Sequence, residues 1–174
     1  MAASSFVARL AGARIGTTFN QYARSSLRQR RLADYLAERA HAPLLLVGEA
    51  AGYRGARISG VPFTSERQLT GLGPAEASAT IVHGVLAELG LEEAVLLWNL
   101  VPTHPHRSGE PDSNRAPTAG EVAAAVPFLD ELAAGRRVVA VGRLAERALG
   151  APAVRHPSHG GAADFRTGLR RLLG

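Results

Sequence analysis

Short apolar runs separated by longer amphipathic stretches make up most of this chain. The first apolar run covers residues 44–47, and runs of similar length follow at 94–98 and 137–141. Runs this short, bounded by proline, glycine or polar residues, are typical of strands buried on both faces of a sheet. A shorter run at 153–155 predicts a fourth strand.

Helical signals fill the intervals between the predicted strands. Pro74 is suited to a first helical turn and Gly90 to the position just after a helix, while Thr118 and Glu121 have the spacing of a capping box. The predicted helices cover residues 20–41, 74–89, 118–135, 142–149 and 161–173.

This alternation of strands and helices predicts an α/β fold whose parallel sheet carries helices on both faces. Ligands of such sheets bind beyond the carboxyl ends of the strands, where the loops 48–73, 99–117 and 156–161 emerge. A length of 174 residues predicts one domain. Its basic N-terminal helical segment, residues 1–41, has two open roles: contacting a partner or covering the edge of the sheet.

Composition excludes several kinds of chemistry. The chain has no cysteine, which excludes disulfides, cysteine-bound metal centres and thiol catalysis. Its 20 Lys and Arg residues are all arginine, so a P-loop and a Schiff-base mechanism are excluded as well. No apolar run is long enough to span a membrane, and no secretion signal is visible, so we expect a cytoplasmic protein.

The charges are distributed unevenly along the chain. Residues 1–41 carry a net charge of +5, residues 42–135 a net charge of −6, and residues 136–174 a net charge of +6. Two basic ends around an acidic middle favour a polyanionic partner bound on one face. Solvated helix surfaces would produce the same pattern, so charge alone leaves both interpretations open.

The first loop at the sheet edge carries two candidate site residues. Gly48 and Glu49 begin a GxxxGxxG pattern that differs from the dinucleotide fingerprint GxGxxG. Glu49, at the end of a strand, is placed to activate water or stabilise a cation, or else to hydrogen-bond within the fold. Phe63 offers a flat surface on which a base could stack, or else fills the core.

The second loop carries an asparagine and two histidines. Asn99 directly follows the second strand, where its amide can read the edge of a base or form a turn. His104 and His106 allow a metal site or a loop contact to DNA or solvent. A metal is the weaker interpretation, because their spacing is not that of ligands on one helix face and no third ligand is evident.

The third loop carries His156, which the following proline restrains and which can hydrogen-bond a leaving group. The small residues after it, 158–161, precede a helix and can grip a phosphate with backbone N–H groups. A nucleophilic Ser158 is the alternative, although the chain lacks the GxSxG turn that usually presents such a serine.

Taken in order, five motifs resemble the uracil-DNA glycosylase superfamily, and most closely the bacterial and archaeal group called family four. They are Gly-Glu-Ala-Ala-Gly at 48–52, Gly-Val-Pro-Phe at 60–63, Asn99 after the second strand, Asn-Arg-Ala-Pro-Thr at 114–118 and His-Pro-Ser at 156–158. Each motif is weak alone, but the five together occur in the family's order and on the expected elements.

The resemblance implies a three-layer α/β/α sandwich with a four-stranded parallel sheet in the order 2-1-3-4. It also implies hydrolysis of the N-glycosidic bond of uracil, and of other deaminated bases, in DNA after base flipping. Neither a cofactor nor a metal is implied, and a monomer is expected. The residues it assigns to uracil binding are Gly48, Glu49, Ala50, Phe63, Asn99 and His156.

The same resemblance implies a role for each site residue. Phe63 stacks on uracil, and Asn99 binds its O4 and N3–H. His156 donates to O2, and Glu49 lies near the sugar, where it positions water or stabilises the cation. Glu49, Asn99 and His156 are therefore the implied catalytic residues, and the implied DNA contacts are Arg115, Ser158, His159 and Gly160.

The chain departs from the family pattern at several positions. The four cysteines that hold an iron–sulfur cluster in close relatives are absent. Ala50 stands where other members have a catalytic aspartate, and Gly52 where they have a tyrosine that excludes thymine; Tyr53 is a candidate to fill that space. A catalytically weak or inactive protein of this fold that binds nucleic acid therefore stays open, as does an unrelated hydrolase that uses Ser158.

Overall fold

A computed structural model describes residues 2–173. Its sheet has four parallel strands in the order β2-β1-β3-β4, which confirms both the α/β class and the strand order implied by the resemblance. The strands are β1 (Leu44–Ala50), β2 (Val95–Val101), β3 (Arg137–Val141) and β4 (Ala153–Val154). All four predicted strands are present, and β1 and β2 extend beyond their predicted ends.

Helices cover both faces of the sheet and the loops at its edge. They are α1 (Ala3–Gly12), α2 (Ser26–Glu38), α3 (Ala56–Ser59), α4 (Glu66–Thr70), α5 (Ala77–Glu88), α6 (Ala119–Ala133), α7 (Arg143–Leu149) and α8 (Ala162–Leu173). The short helices α3 and α4 interrupt what was expected to be one long loop. The capping box of α6 is present as expected, with the Thr118 side chain accepting a hydrogen bond from the backbone N–H of Glu121.

Two helix starts differ from the prediction for a local reason. The helix expected from residue 20 begins at Ser26, because the side chain of Ser25 caps it by accepting a hydrogen bond from the N–H of Arg28. The helix expected from Pro74 begins at Ala77, with Glu76 as the residue before its first turn. Hydrophobic spacing placed the first of these starts too early, and the proline signal placed the second too early.

Alternate residues of the central strands pack on opposite faces of the sheet. Leu45 and Trp98 belong to the core that includes α1, α2 and α6, whereas Leu46 and Leu97 belong to the core formed with α5 and α8. All seven residues of β2 are buried. The apolar runs in the sequence thus reflect strands covered on both sides.

Helix α1 was not predicted, and its apolar side chains pack into the core. Phe6 and Leu10 are fully buried, and the ring of Phe6 packs edge-on against Trp98 and Phe128, with centroid distances of 5.6 Å in both cases. Each fully buried side chain of this size contributes about 1.5–3 kcal/mol to folding. The first helix therefore covers the sheet as part of the core.

The strand register brings the site motifs together. Gly48 of β1 lies beside Asn99 of β2, so the first and second loops leave the sheet at the same level. His156 follows β4 at the same edge of the sheet. Among the described residues, no helix is both long and apolar enough to cross a bilayer.

Candidate active site

A cavity of about 680 Å³ opens at the carboxyl edge of the sheet. Gly48 lies beneath it, and Gly160 is absent from its lining. The residues predicted from sequence that line it are Glu49, Ala50, Phe63, Asn99, Arg115, His156, Ser158 and His159. The fold thus gathers residues from all three loops, and their roles stay predictions.

The ring of Phe63 packs directly on the backbone of Gly48. A Cβ atom at position 48 would lie 2.2 Å from Cζ of Phe63 and 3.1 Å from Oδ1 of Asn99, so only glycine leaves room for the ring. Phe63 itself has a positive φ of 51°, a strained conformation for a bulky residue. The surrounding loop holds it there, since Thr64 N–H donates to the carbonyl of Val61 at 3.2 Å. The result is an aromatic surface fixed in the cavity.

Asn99 presents its amide to the cavity from the buried end of β2. The residue is only 3% exposed, yet it lines the cavity wall. No protein group within residues 2–173 forms a hydrogen bond with its side chain. A buried amide of this kind is normally paired, so its donor and acceptor are available to a ligand.

The backbone determines which nitrogen of His156 carries the proton. Ser158 N–H donates to Nδ1 at 3.1 Å, and the Ser158 hydroxyl lies 2.8 Å from the same nitrogen. Nδ1 is therefore an acceptor, and the proton of the neutral ring sits on Nε2. Burial, with a smaller contribution from the charge of His159, lowers the pKa of His156, which favours the neutral form.

This arrangement does not favour Ser158 as a nucleophile. The His156 nitrogen facing the hydroxyl also accepts the Ser158 backbone N–H, and within residues 2–173 no carboxylate bonds to the other nitrogen to orient the ring. The turn is tight, because a Cβ at Gly161 would lie 2.1 Å from the carbonyl oxygen of His156. The serine thus holds the imidazole in position.

Glu49 is a half-buried carboxylate on the cavity wall. Burial raises its pKa, and the positive charge of Arg147 partly offsets that rise. Arg147 and Arg143 line the rim from α7 and are exposed. Sequence analysis did not identify either arginine, because nothing local relates α7 to the first motif.

Glu76 is a second carboxylate in the cavity, and sequence analysis missed it. A Cβ at Gly52 would lie 2.2 Å from its Oε1, and a Cβ at Gly55 would lie 2.2 Å from its Oε2. Burial raises the pKa of Glu76, and no hydrogen bond or charge among residues 2–173 offsets that effect. Glu76 therefore occupies the space above Gly52 for which Tyr53 was a candidate, and Tyr53 lines a different cavity.

Arg115 reaches the cavity with its guanidinium already engaged. It donates to both oxygens of Glu121, at 2.8 and 2.6 Å, and to the carbonyl of His106 at 2.9 Å. Glu121 is 2% exposed, and its bonds to Arg115 lower its pKa to about 2. Phosphate binding by Arg115 stays a prediction, and the contacts seen here tie the second loop to α6.

The structure corrects both interpretations of His104. The residue is fully buried, with Nδ1 2.8 Å from the carbonyl of Ala51 and Nε2 3.2 Å from that of Pro111. It therefore supports the first motif from below, instead of contacting DNA or solvent. Among residues 2–173, no three His, Asp or Glu side chains form a metal-binding group. The chain also lacks the cysteines that an iron–sulfur cluster requires.

The parallel sheet carries an aromatic ring, a buried amide and a neutral imidazole around one cavity at its carboxyl edge. The family model of the uracil DNA glycosylase superfamily matches residues 36–169, and the chain belongs to that superfamily. It is thus a DNA glycosylase in the general sense, a hydrolase of DNA repair that acts on DNA.

A solved structure has the same fold over nearly the full length of both chains. The crystal structure of wild-type SMUG2 from Pedobacter heparinus superimposes with a TM-score of 0.71 at 14% identity, covering 99% of this chain and 98% of that one. No curated protein matches the chain to a significant degree. At an identity this low, the structural likeness supports the fold alone. The substrate has to be argued from the site.

Proposed function

We propose that this protein removes uracil from DNA by hydrolysing the N-glycosidic bond of a nucleotide flipped into the cavity. The observation that carries the proposal is the free amide of Asn99 beside the ring of Phe63, facing the same cavity as His156. A flipped base needs a surface to stack on, an amide to read its edge and a donor for its departure. The cavity contains all three.

Asn99 provides the discrimination between uracil and cytosine. Its carbonyl oxygen accepts from uracil N3–H, and its NH₂ group donates to O4. Cytosine has no proton on N3 and carries an amino group in place of O4, so its pattern is reversed. A buried site that leaves polar groups unpaired rejects the wrong base strongly. Because no protein group within residues 2–173 hydrogen-bonds this amide, an amide turned by 180° would match cytosine instead. The selectivity therefore requires that the packing around the buried Asn99 hold its orientation.

His156 stabilises the departing base. Negative charge develops on uracil O2 as the glycosidic bond breaks, and Nε2–H of the neutral ring donates to that oxygen. One well-placed donor of this kind contributes about 3–4 kcal/mol to the transition state. Ser158 fixes the ring through Nδ1, so the donor is oriented before the substrate arrives.

Glu49 acts on the sugar side of the bond. Its carboxylate positions the attacking water and stabilises the positive charge that develops on the sugar. General-base assistance of this kind accelerates a reaction by roughly 10²–10⁴-fold. Ala50 cannot take this role, so Glu49 replaces the aspartate that other members carry at the neighbouring position.

The test is single-turnover cleavage of a uracil-containing oligonucleotide, both single-stranded and paired opposite guanine, with alkali to reveal abasic sites. We expect abasic sites that depend on uracil, and a loss of about 10²–10³-fold in Asn99→Ala. Strands with thymine, hypoxanthine or xanthine at the same position define the range of bases. Equal cleavage by wild type and Asn99→Ala would overturn the assignment.

A second candidate function is recognition without cleavage. Ala50 in the cavity wall favours it, because that position carries no group able to activate water. DNA binding that depends on uracil, without abasic sites on any strand, would establish this alternative. In either case we propose a monomeric, cytoplasmic protein, which sedimentation and fractionation would test.

A further inference from the structure

His83 is a partly buried histidine of α5 that no step of the proposed mechanism uses. Its Nε2 lies 3.1 Å from the hydroxyl oxygen of Thr64, the residue directly after Phe63. Neither His83 nor Thr64 lines the large cavity. Any effect of this histidine on a bound base would therefore pass through the loop that carries Phe63.

The hydroxyl of Thr64 sets the direction of its hydrogen bond with His83. Oγ1 donates its one proton to the carbonyl of Pro62 at 3.1 Å, so towards His83 it is the acceptor, and Nε2 carries a proton. Burial lowers the pKa of His83, which favours the neutral ring, and a hydrogen bond to the backbone of Phe63 partly offsets that shift. The imidazole thus points a donor at the loop.

The same loop is also closed by hydrogen bonds around Phe63. The buried hydroxyl of Ser59 donates to the carbonyl of Thr64 at 2.6 Å and accepts the N–H of Val61 at 3.0 Å. These bonds join the two ends of the loop to each other. The bond from His83 does something different, because it ties the end of the loop to α5.

The backbone of Phe63 needs this support, since its φ of 51° is strained for a side chain of this size. A residue in this region keeps its conformation only where the surrounding contacts enforce it. Relaxation to a negative φ would turn the ring away from Gly48, on which it packs. Phe63 belongs to the same apolar core as Val82 of α5, so the helix that carries His83 also supports the ring by packing.

The angle of the Phe63 ring decides how much contact a base can make with it. A base stacks on an aromatic ring face to face, so a tilt of the ring removes contact area. Phe63 is only 7% exposed and lines the cavity, so the surface that it offers to a base is small. A group that holds this angle contributes to base binding without contacting the base.

We propose that His83 is a positioning residue for the flipped base, because its hydrogen bond to Thr64 holds the ring of Phe63 at the angle on which uracil stacks. This inference rests on the proposed function, since it concerns the stacking surface of the same cavity. The stacked contact forms before the glycosidic bond breaks and persists while it breaks. Loss of His83 should therefore weaken substrate binding and leave the chemical step nearly unchanged.

The experiment measures single-turnover cleavage of a uracil-containing single strand over a range of enzyme concentrations. We expect His83→Ala and Thr64→Val to raise the half-saturating concentration about tenfold, within the range for one base stacked on an aromatic ring, and to change the maximal rate little. His83→Gln keeps an N–H donor and Thr64→Ser keeps the hydroxyl, so each should recover most of the affinity.

The matched control for Thr64→Val is Thr70→Val. It also removes a hydroxyl that donates to a backbone carbonyl, that of Glu66 at 3.0 Å, but at an exposed position outside the cavity lining. Its half-saturating concentration and its maximal rate should both match those of wild type.

The Phe63→Ala background shows whether the histidine acts through the ring. In that background His83→Ala should weaken binding no further, because the ring that it orients is gone. The melting temperature should still fall, since the contact between His83 and Thr64 does not involve the Phe63 side chain. A histidine that only stabilised the fold would lower the melting temperature and leave the half-saturating concentration unchanged in both backgrounds.

A binding assay separates this inference from the proposed function. A strand with 2′-deoxy-2′-fluorouridine resists cleavage, and its affinity relative to the same strand with cytosine reports how well the cavity holds the base. His83→Ala and Thr64→Val should reduce that preference about tenfold. If wild type forms no abasic sites but prefers the uracil analogue, the proposed function fails, and this assay still decides the role of His83.

Three results would overturn the inference. The first is an unchanged affinity in Thr64→Val, which also decides the question if His83→Ala fails to fold. The second is a loss of affinity that recurs in full when Phe63 is already alanine. The third is a lower maximal rate at an unchanged half-saturating concentration, which would place the effect of His83 in the chemical step. A wild type that neither cleaves uracil DNA nor prefers the analogue would overturn both proposals together.

Discussion

Two regions at the cavity differ in how their carboxylates are paired. In the first, Glu121 is buried beside the cavity and accepts hydrogen bonds from two nitrogens of Arg115, and the pKa of its carboxyl falls to about 2. In the second, Glu49 and Glu76 line the cavity, partly buried and without such a partner, and burial raises their pKa values. In the first region the carboxylate has a hydrogen-bonded cation within the fold. In the second region, among residues 2–173, neither carboxylate has one.

The difference separates structural residues from residues available to a ligand. Arg115 and Glu121 form hydrogen bonds with each other, so this pair supports the part of the cavity wall that Arg115 lines. Glu49, Asn99 and His156 keep polar groups unpaired at a cost in folding free energy, and in the proposed function the bound substrate pairs with those groups. We therefore expect changes in the paired region to reduce stability and changes in the unpaired region to reduce activity.

The largest expected effect is on activity, in the unpaired region. In the proposed mechanism, His156→Ala removes the donor to the departing base, so the single-turnover rate on uracil DNA should fall by about 10²–10³-fold. Its melting temperature should stay close to that of wild type, because among residues 2–173 only Ser158 forms hydrogen bonds with the ring. If the variant unfolds but keeps its rate per folded molecule, His156 contributes to stability and not to activity, which contradicts the comparison.

The next effect is on stability, in the paired region. Arg115→Ala leaves the buried carboxylate of Glu121 without its partner, and we expect the free energy of unfolding to fall by about 3 kcal/mol. For a chain of this size, that lowers the melting temperature by roughly 6–12 °C. If DNA binding weakens while the melting temperature holds, Arg115 contacts phosphate as the resemblance implies.

Acid unfolding provides a control for that prediction. Because the folded-state pKa of Glu121 lies below its unfolded value, the ion pair stabilises the fold fully above about pH 5. This stability is lost as the pH falls from there towards 2, since protonation favours the unfolded chain. Glu121→Gln should lack most of this pH dependence, as measured by urea unfolding at a series of pH values.

The sequence predicted the sheet well because its signal is local. Apolar runs such as 138–141 mark strands buried on both faces. The site residues Glu49, Asn99 and His156 lie within the carboxyl ends of strands or just beyond them. Parallel topology then brings those strand ends to one edge, independent of any side-chain detail. Residues tied to strand ends were therefore identified from the sequence alone.

The residues that sequence analysis missed depend on contacts between distant segments. Glu76 lies at the start of α5, and its role arises from packing on Gly52 and Gly55, more than 20 positions earlier. Arg115 belongs to a motif, but the fact that Glu121 engages its guanidinium is a property of the folded chain. The capping-box position of Glu121 was the one local signal of that pairing.

Glu76→Gln should have a smaller effect than Arg115→Ala, and it should raise the stability of the fold where Arg115→Ala lowers it. Burial raises the folded-state pKa of Glu76, so this group stabilises the fold when protonated and loses that contribution as the pH rises. A neutral amide of the same size should therefore raise the melting temperature at pH 8 by about 2–4 °C, the equivalent of 1 kcal/mol.

Glu93→Gln is the matched control for Glu76→Gln, because it removes the same charge from an exposed position. Its melting temperature should differ little from wild type. An equal rise in both variants would mean that net charge, and not the burial of Glu76, explains the gain. A fall in Glu76→Gln would show that its carboxylate has a partner within the fold.

The smallest effect concerns the pH dependence of the rate. The charge of Arg147 favours the ionised form of Glu49, so Arg147→Ala should raise the pKa of that carboxyl. In the proposed mechanism Glu49 acts as a carboxylate, so the acidic limb of the kcat/KM profile should move to higher pH, while the plateau rate stays nearly constant. Arg147 is exposed, so added salt should shrink the shift. Arg143→Ala removes an equal charge from the same rim without acting on Glu49, and a matching shift there would assign the effect to the general field of α7.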